Sequence, residues 1–296
     1  MKNKKVVCIV GPTSSGKTAL SIALAKAYDG EIISADSRQV YQGLDLGSGK
    51  VTKEEMAGIP HYLLDVADPK ETFTASEFAR LGKRALNEIF DKEKLPIVTG
   101  GTGFYIDVLL GIITPAEVPP NETLRRELET KTITELQQLL QEKDPERFET
   151  IDTHNPRRLI RALEIAEELG KNPESKSESP YTILWIGLTV PSEELHKKIR
   201  MRIMHRFEQG MLEEAQRLHE EGLSYERMEE LGLEYRYMAR HLQGTLTYEE
   251  MIAELETATV QYAKRQMTWF KKNSAIQWCA PDETEKVTLL VANFIK

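Results

Sequence analysis

One stretch constrains the fold of this chain more than any other. Gly11-Pro12-Thr13-Ser14-Ser15-Gly16-Lys17-Thr18 follows the apolar run Val6-Val7-Cys8-Ile9-Val10 and precedes a helix-compatible run, Ala19 to Lys26. It matches the phosphate-binding loop pattern G-x-x-x-x-G-K-[ST] at every fixed position, in the strand-loop-helix context that pattern requires. The glycines let the backbone curl so that successive N–H groups converge, and the following helix adds partial positive charge at its N-terminus. Lys17 can offer its ammonium to an outer phosphate, and the Thr18 hydroxyl suits Mg²⁺. A di- or triphosphate ligand follows. Which one, and what becomes of it, the loop leaves open.

The 296 residues can bury a core and one smaller domain. With 29% charged and 40% hydrophobic residues, the composition is that of an ordinary globular chain. No apolar run approaches the roughly 18 residues of a membrane span. The basic start Met1-Lys2-Asn3-Lys4-Lys5 runs straight into the first strand and the phosphate loop. Cleavage there would destroy the loop, which excludes a signal peptide. Only two cysteines occur, Cys8 and Cys279, far apart in sequence, so neither a disulfide framework nor a zinc site is indicated. A cytoplasmic location is the expectation. The net charge of −8 argues against non-specific nucleic-acid binding. Three basic clusters leave room for a local groove: Arg157, Arg158 and Arg161; Lys197, Lys198, Arg200, Arg202 and Arg206; Lys264, Arg265, Lys271 and Lys272. Any one cluster reads more readily as a solvated helix face, and the three together in an acidic chain shift that balance toward a groove.

The first 110 or so residues alternate short apolar runs with helical patterns, which predicts parallel βαβ units. Strands are expected at Lys5–Val10, Glu31–Ser34, Tyr62–Val66 and Pro96–Thr99, with helices at Lys17–Tyr28, Ala75–Lys92 and from Gly103 to Leu110. Prolines then interrupt the chain, and Asn121–Glu149 is charge-rich and helical in pattern. A helix over Pro156–Leu169 ends at Gly170 and is followed by a polar loop, Lys171–Ser179. Thr182–Val190 is expected to be the last parallel strand, with helices from Glu193 to about Lys271. The expected architecture is an α/β parallel sheet of the P-loop NTPase type flanked by helices. A catalytic core of residues 1–112 and 176–296 is interrupted by a helical insertion at 113–175, and the C-terminal region is helical.

Several residues fall where such a sheet binds ligands, at the carboxyl ends of its strands. Asp36 follows the second strand and reads either as a base near the phosphate loop or as a cap for the next turn. Tyr62-Leu63-Leu64-Asp65 has the strand-then-acid pattern with which nucleotide hydrolases hold Mg²⁺. Gly100-Gly101-Thr102-Gly103 permits close backbone approach to a ligand, with a hydroxyl at Thr102. Arg158 and Arg161 share one helix face. Arg202 reads as a bidentate phosphate clamp or as an exposed helical arginine.

Together these segments resemble the tRNA dimethylallyltransferase (isopentenyltransferase) family. The matching pieces are Gly11–Thr18; Ser34-Ala35-Asp36-Ser37-Arg38-Gln39-Val40-Tyr41; Leu46-Gly47-Ser48-Gly49-Lys50; His61–Asp65; Gly100–Tyr105; His154–Glu164; and Ala263-Lys264-Arg265-Gln266-Met267-Thr268-Trp269-Phe270. They occur in family order across nearly the whole chain. The resemblance implies transfer of the five-carbon group of dimethylallyl diphosphate to the exocyclic amine of adenosine 37, beside the tRNA anticodon, with release of pyrophosphate. It implies that Gly11, Pro12, Thr13, Ser14, Ser15, Gly16, Lys17 and Thr18 hold the diphosphate with Mg²⁺ on Thr18. It makes Asp36, Thr102 and Arg202 catalytic, with Arg202 on the pyrophosphate. It assigns tRNA contact to Asp36, Ser37, Arg38, Gln39, Thr102, Arg157, Arg158, Leu159, Ile160, Arg161, Tyr235 and Arg236. The implied partners are dimethylallyl diphosphate and the tRNA anticodon stem-loop, met by a monomeric chain away from any membrane, and the insertion would be the family's mobile domain. Two departures stand out. The family usually carries Ile-Gly-Tyr followed by Lys or Arg where this chain has Leu233-Glu234-Tyr235-Arg236, so Glu234 replaces the glycine. The insertion is also short. With no C-terminal Cys/His finger pattern, the resemblance is to the bacterial type. The competing readings are a small-molecule kinase or NTPase and a nucleotide-gated RNA-binding module.

Overall fold

A computed structural model describes residues 4–173 and 178–296 of the chain. It separates into two compact units, one made of Met1–Leu110 with Ser179–Lys296, the other of Gly111–Glu178. The insertion expected at 113–175 therefore begins and ends two or three residues away from the observed unit. The expected junction at 175–176 and the basic residues 1–3 lie outside the described residues.

The first unit opens β1 (Lys5–Val10), α1 (Lys17–Ala27), β2 (Gly30–Ser34), α2 (Lys53–Met56), β3 (His61–Tyr62), α3 (Ala75–Asp91), β4 (Leu95–Gly100) and α4 (Gly103–Leu109). The second unit holds α5 (Glu122–Glu129), α6 (Ile133–Lys143), α7 (Pro145–Thr150) and α8 (Pro156–Leu169). The chain re-enters the first unit with β5 (Thr182–Leu188), α9 (Ser192–Glu208), α10 (Met211–Glu220), α11 (Tyr225–Leu231) and α12 (Leu233–Leu242). It ends with α13 (Tyr248–Phe270), β6 (Gln277–Cys279) and α14 (Thr284–Ile295).

The described strands form one sheet in the order β3-β2-β4-β1-β5-β6, and every pairing is parallel. Parallel strands are covered on both faces, so they read as unbroken apolar runs. Val6 to Val10 and Ile32–Ile33 are all fully buried. Val7, Ile9, Ile32, Ile97, Leu184 and Ile186 pack with Ile22 and Leu24 of α1 and with Val287 and Val291 of α14. On α3, Thr74 and Glu77 form a reciprocal capping box, and Phe78, Ala85, Leu86 and Ile89 supply the buried stripe.

Two expectations fail at the sheet edges. The strand expected at Tyr62–Val66 stops at Tyr62, because Leu63 (φ 65°) and Asp65 (φ 56°) take left-handed conformations that turn the chain out of the sheet. Thr182–Leu188 is not the last strand, since Gln277–Cys279 pairs alongside it.

The second unit has its own core of Leu128, Leu136, Leu140, Leu159, Ile160, Ala162 and Leu163. Its buried Glu164 accepts the Asn121 N–H at 2.6 Å and pairs with Arg125 and Arg161. Among the described residues no helix is long and apolar enough to cross a membrane.

Candidate active site

The phosphate loop joins the end of β1 to α1. Gly11 sits at φ 148°, where a Cβ would lie 2.7 Å from the Leu188 carbonyl oxygen of the neighbouring strand, so only glycine fits. Inside the loop, Lys17 Nζ donates to the Pro12 carbonyl at 2.6 Å. Burial and the nearby Arg202 guanidinium bring its ammonium down from 10.5 to about 7, against the pull of Asp36. The Ser15 hydroxyl is buried with no protein partner. Thr18 is exposed on the first turn of α1. A helix N-terminus with a cation and unspent donors is an anion site.

Beside the loop, β2 and β4 present the second half of the site. Asp36 Oδ1 accepts the backbone N–H groups of Arg38 (2.8 Å) and Gln39 (3.4 Å). Its capping role is therefore real and occupies one carboxylate oxygen, with Oδ2 left over. Thr102 locks onto the same turn: its Oγ1 accepts from Ser37 N at 3.1 Å, and its own N–H donates to Ala35 O at 3.2 Å. Burial, with the Asp36 carboxylate nearby, pushes the Tyr262 phenol up to about 12. Asp36, Ser37, Arg38, Thr13, Glu234 and Arg236 line a cleft of about 300 Å³.

Two arginines close the arrangement from α9. Arg202 donates to Thr13 Oγ1 (3.2 Å) and to the Gly49 carbonyl (3.4 Å). Burial, then repulsion from Arg206, brings its guanidinium down to about 10. Arg206, only 8% exposed, lies against the Gly47 carbonyl and Glu234 Oε1, each at 3.5 Å. Glu234, which stands where the family resemblance expects glycine, thus faces a guanidinium. Burial raises its carboxyl above the usual range against the opposing effect of Arg206. The phosphate loop, Asp36, Thr102 and Arg202 are brought together as one site.

Other expected site residues land elsewhere. Tyr235 is 1% exposed, with its hydroxyl donating to Glu214 Oε1 at 2.7 Å, so its side chain has no surface to offer tRNA. Arg236 does line the cleft, held through Glu229. Leu159 and Ile160 are buried in the core of the second unit, again without a contact surface. Within that unit Arg157 and Arg158 are exposed on the first turn of α8, where Asn155 caps the helix and the turn itself carries no acid. Arg161 is turned inward, to Glu164 Oε2 (2.6 Å) and the Val118 carbonyl (2.8 Å). Asp65 does not take up a strand-end metal-binding position. It lies past the edge strand β3, with its carboxylate on Lys50 Nζ at 2.5 Å.

Three residues at the site escaped the sequence reading as individuals. Gln266 accepts the Thr13 N–H (2.8 Å) through Oε1 and donates through Nε2 to the Gly101 carbonyl (3.0 Å), tying the phosphate loop to the Thr102 turn. Glu214 and Arg206 are the others. A shared signal was available: each is a polar residue on a helix's apolar stripe. Gln266 falls in line with Ala263 and Phe270, Glu214 with Met211 and Leu218, and Arg206 with Ile199 and Ile203.

The IPP transferase family profile matches residues 39–273. The tRNA dimethylallyltransferase of Anoxybacillus flavithermus is 41% identical over 281 residues, covering 93% of this chain and 90% of that protein. The crystal structure of the full-length tRNA isopentenylpyrophosphate transferase from Bacillus halodurans superposes with a TM-score of 0.75 at 35% identity, covering 98% of this chain and 96% of that one. A eukaryotic dimethylallyltransferase seen acting on tRNA gives a TM-score of 0.82 at 27% identity, covering 98% of this chain and 77% of its own. The chain belongs to the IPP transferase family, alongside the bacterial tRNA dimethylallyltransferases.

Proposed function

We propose that the protein transfers the dimethylallyl group of dimethylallyl diphosphate to N6 of adenosine 37 in tRNA and releases pyrophosphate. The observation that carries this reading is the juxtaposition of a phosphate loop with Asp36 and Thr102, interlocked at the carboxyl ends of β2 and β4. The allylic C1–O bond breaks, the N6–C1 bond forms, and the N6 proton passes to the free oxygen of Asp36. Lys17, the loop N–H groups and Arg202 neutralise the charge that grows on the departing pyrophosphate. An adenine amine is a weak nucleophile and an allylic cation a comparatively stable one, so positioning and leaving-group stabilisation meet much of the barrier. Thr102, braced by Ser37, holds the acceptor base. That base must leave the anticodon stack to reach the cleft, as is usual for enzymes acting on a base.

The Thr18 hydroxyl and the diphosphate oxygens would hold Mg²⁺, whose charge would complement that of Lys17. The donors fit, since Mg²⁺ keeps several waters and takes few protein ligands. The described residues contain no cluster of three His, Cys, Asp or Glu to hold a metal otherwise. Arg157 and Arg158 support tRNA binding by the second unit. Cations on the first turn of a helix are disfavoured by its dipole; Asp152, 3.7 Å from Arg158, offsets this in part, and an RNA phosphate would offset it further. A cytoplasmic location follows from a tRNA substrate. A site drawn from one chain supports action as a monomer.

The test is transfer of labelled dimethylallyl from its diphosphate to unmodified tRNA carrying adenosine at the anticodon-adjacent position. Transfer dependent on Asp36 is expected. ATP turnover without transfer would replace this reading with a kinase or NTPase. Binding of tRNA with neither activity would replace it with a binding module.

A further inference from the structure

The segment Leu46-Gly47-Ser48-Gly49-Lys50 belongs to no helix or strand, yet both arginines of the site are held by it. The Gly49 carbonyl accepts from Arg202 and, at 3.1 Å, from Gln39 Nε2, while the Gly47 carbonyl faces Arg206. Two adjacent guanidinium groups repel one another, so their separation and aim depend on the acceptors between them. The loop's own bonds, Gly49 N–H to Leu46 O (3.1 Å) and Lys50 N–H to Asp45 O (3.0 Å), shape the turn, but to aim its carbonyls at α9 something outside it must fix its first residues.

Glu214 on α10 does so. Its carboxylate is buried, and Oε2 accepts the N–H groups of Asp45 (3.1 Å) and Leu46 (2.8 Å). Oε1 accepts from Gly47 N (2.9 Å) and from the Tyr235 hydroxyl (2.7 Å). Gly47 lies flat on the Tyr235 ring, where a Cβ would come 2.5 Å from Cζ. All four donors are neutral. A buried carboxylate is a poor choice for stability alone, because an apolar residue of similar size fills such a place at less cost. What it supplies is an anchor. With the N–H groups of Asp45, Leu46 and Gly47 held on one carboxylate, the carbonyls of Leu44, Asp45 and Leu46 accept from Ser48 Oγ, Lys50 N and Gly49 N, and the turn so built presents the Gly47 and Gly49 carbonyls to α9.

We infer that Glu214 is a positioning residue for the diphosphate. Without touching that ligand, it locks the 45–49 loop whose carbonyls set Arg202 against the phosphate loop, with Arg206 behind it. Tyr235 is its brace. This inference rests on the reading of Arg202 as a pyrophosphate ligand.

The experiment is calorimetric binding of inorganic pyrophosphate with Mg²⁺ to the full chain and to Glu214→Gln, Arg202→Ala, the double variant and Gly47→Ala. Glu214→Gln and Arg202→Ala are each expected to weaken binding by about tenfold or more. Because both act along one path, the double variant should fall within about twofold of Arg202→Ala alone. Gly47→Ala forces the loop off Tyr235 from the other side, so it should reproduce the loss even if Glu214→Gln does not fold. A Glu214→Gln protein that binds pyrophosphate as the parent does, or losses that add in the double variant, would overturn the inference. So would parental binding by Gly47→Ala. Parental binding by Arg202→Ala would instead overturn the arginine reading on which it stands.

Discussion

Lys17 makes the affinity for pyrophosphate depend on pH in a way the structure quantifies. In the free protein its ammonium sits in a buried loop beside Arg202, which brings it from 10.5 to about 7. Next to phosphate the same ammonium is stabilised and stays charged, so binding above neutrality must be accompanied by proton uptake. With a value of about 7, the charged form is about ten parts in eleven at pH ~6 and about one in eleven at pH ~8. Affinity should therefore fall about tenfold over that interval, or ~1.4 kcal/mol. Calorimetry across the range measures it, with Lys17→Arg as the reference, because a guanidinium stays charged throughout. The titration of pyrophosphate and its Mg²⁺ complex is common to both proteins and cancels in the difference. At pH ~8, two buffers of unlike ionisation enthalpy should show the parent taking up about 0.9 proton more than Lys17→Arg does on binding. Equal pH slopes for the two proteins would refute the reasoning. The same shift carries a second sign. Between about 7 and 10.5 the unfolded chain binds more protons than the ligand-free native state. Below that window Lys17 therefore destabilises the native state in full, and the penalty is relieved as pH rises through it.

Other outcomes follow from the same geometry. Asp36→Asn keeps an oxygen for the Arg38 and Gln39 N–H groups but no base, so transfer should drop about 10²-fold or more with pyrophosphate affinity nearly unchanged. Transfer within a few-fold of the parent would exclude Asp36 as the proton acceptor. Gln266→Leu strands the Thr13 N–H and the Gly101 carbonyl, which should cost ~2 kcal/mol or more in denaturant unfolding and reduce pyrophosphate affinity as the loops separate. Leu140→Ala, at a fully buried position of the second unit, should destabilise that unit by about 2–5 kcal/mol. Hydrogen exchange should show the loss confined to 111–178, with pyrophosphate binding by the first unit retained.

What the sequence disclosed divides by range. The phosphate loop, its strand and its helix are local: eight residues and their neighbours carry the whole argument, and the observed β1 and α1 lie where that argument puts them. Strands buried on both faces announce themselves through adjacent β-branched apolar residues, as Ile32-Ile33 in Glu31–Ser34 and Ile97-Val98 in Pro96–Thr99 do. β6 is three residues long, too short for any periodicity, and is a strand only because β5 offers an open edge. Tyr62–Asp65 looks apolar enough to continue as a strand. Its left-handed residues Leu63 and Asp65 are set instead by the connection back to Tyr41 and by Lys50. The site divides in the same way. Asp36 and Thr102 lie at strand ends and were legible, whereas Gln266 meets Thr13 across 253 positions and Glu214 meets Gly47 across 167. Tyr235 shows the converse error. The family resemblance implies tRNA contact at both Tyr235 and Arg236, but here the Tyr235 ring braces a loop and only Arg236 reaches the cleft.

The placement of charge around the phosphate loop explains why a site of this shape favours loss of a pyrophosphate over transfer of a phosphoryl group. Phosphoryl transfer needs a nucleophile in line with the terminal phosphorus and an acid near the loop to hold the metal there. In this chain β4, the strand beside β1, ends in Thr99 and Gly100, and Asp65 lies beyond the far edge of the sheet, tied to Lys50. The carboxylate that is close, Asp36, is engaged with its own turn and with the Thr102 side of the site, where an acceptor base would lie. The positive groups are gathered around the phosphate loop instead: Lys17 from within the loop, and Arg202 reaching Thr13 from α9 with Arg206 behind it. Cations around the phosphates and a base beyond them favour cleavage at carbon, because the stabilised charge is that of an intact leaving pyrophosphate. Glu234 fits the same balance. In the free protein it lies against Arg206 and offsets part of a cluster of cations that otherwise repel one another until the diphosphate arrives.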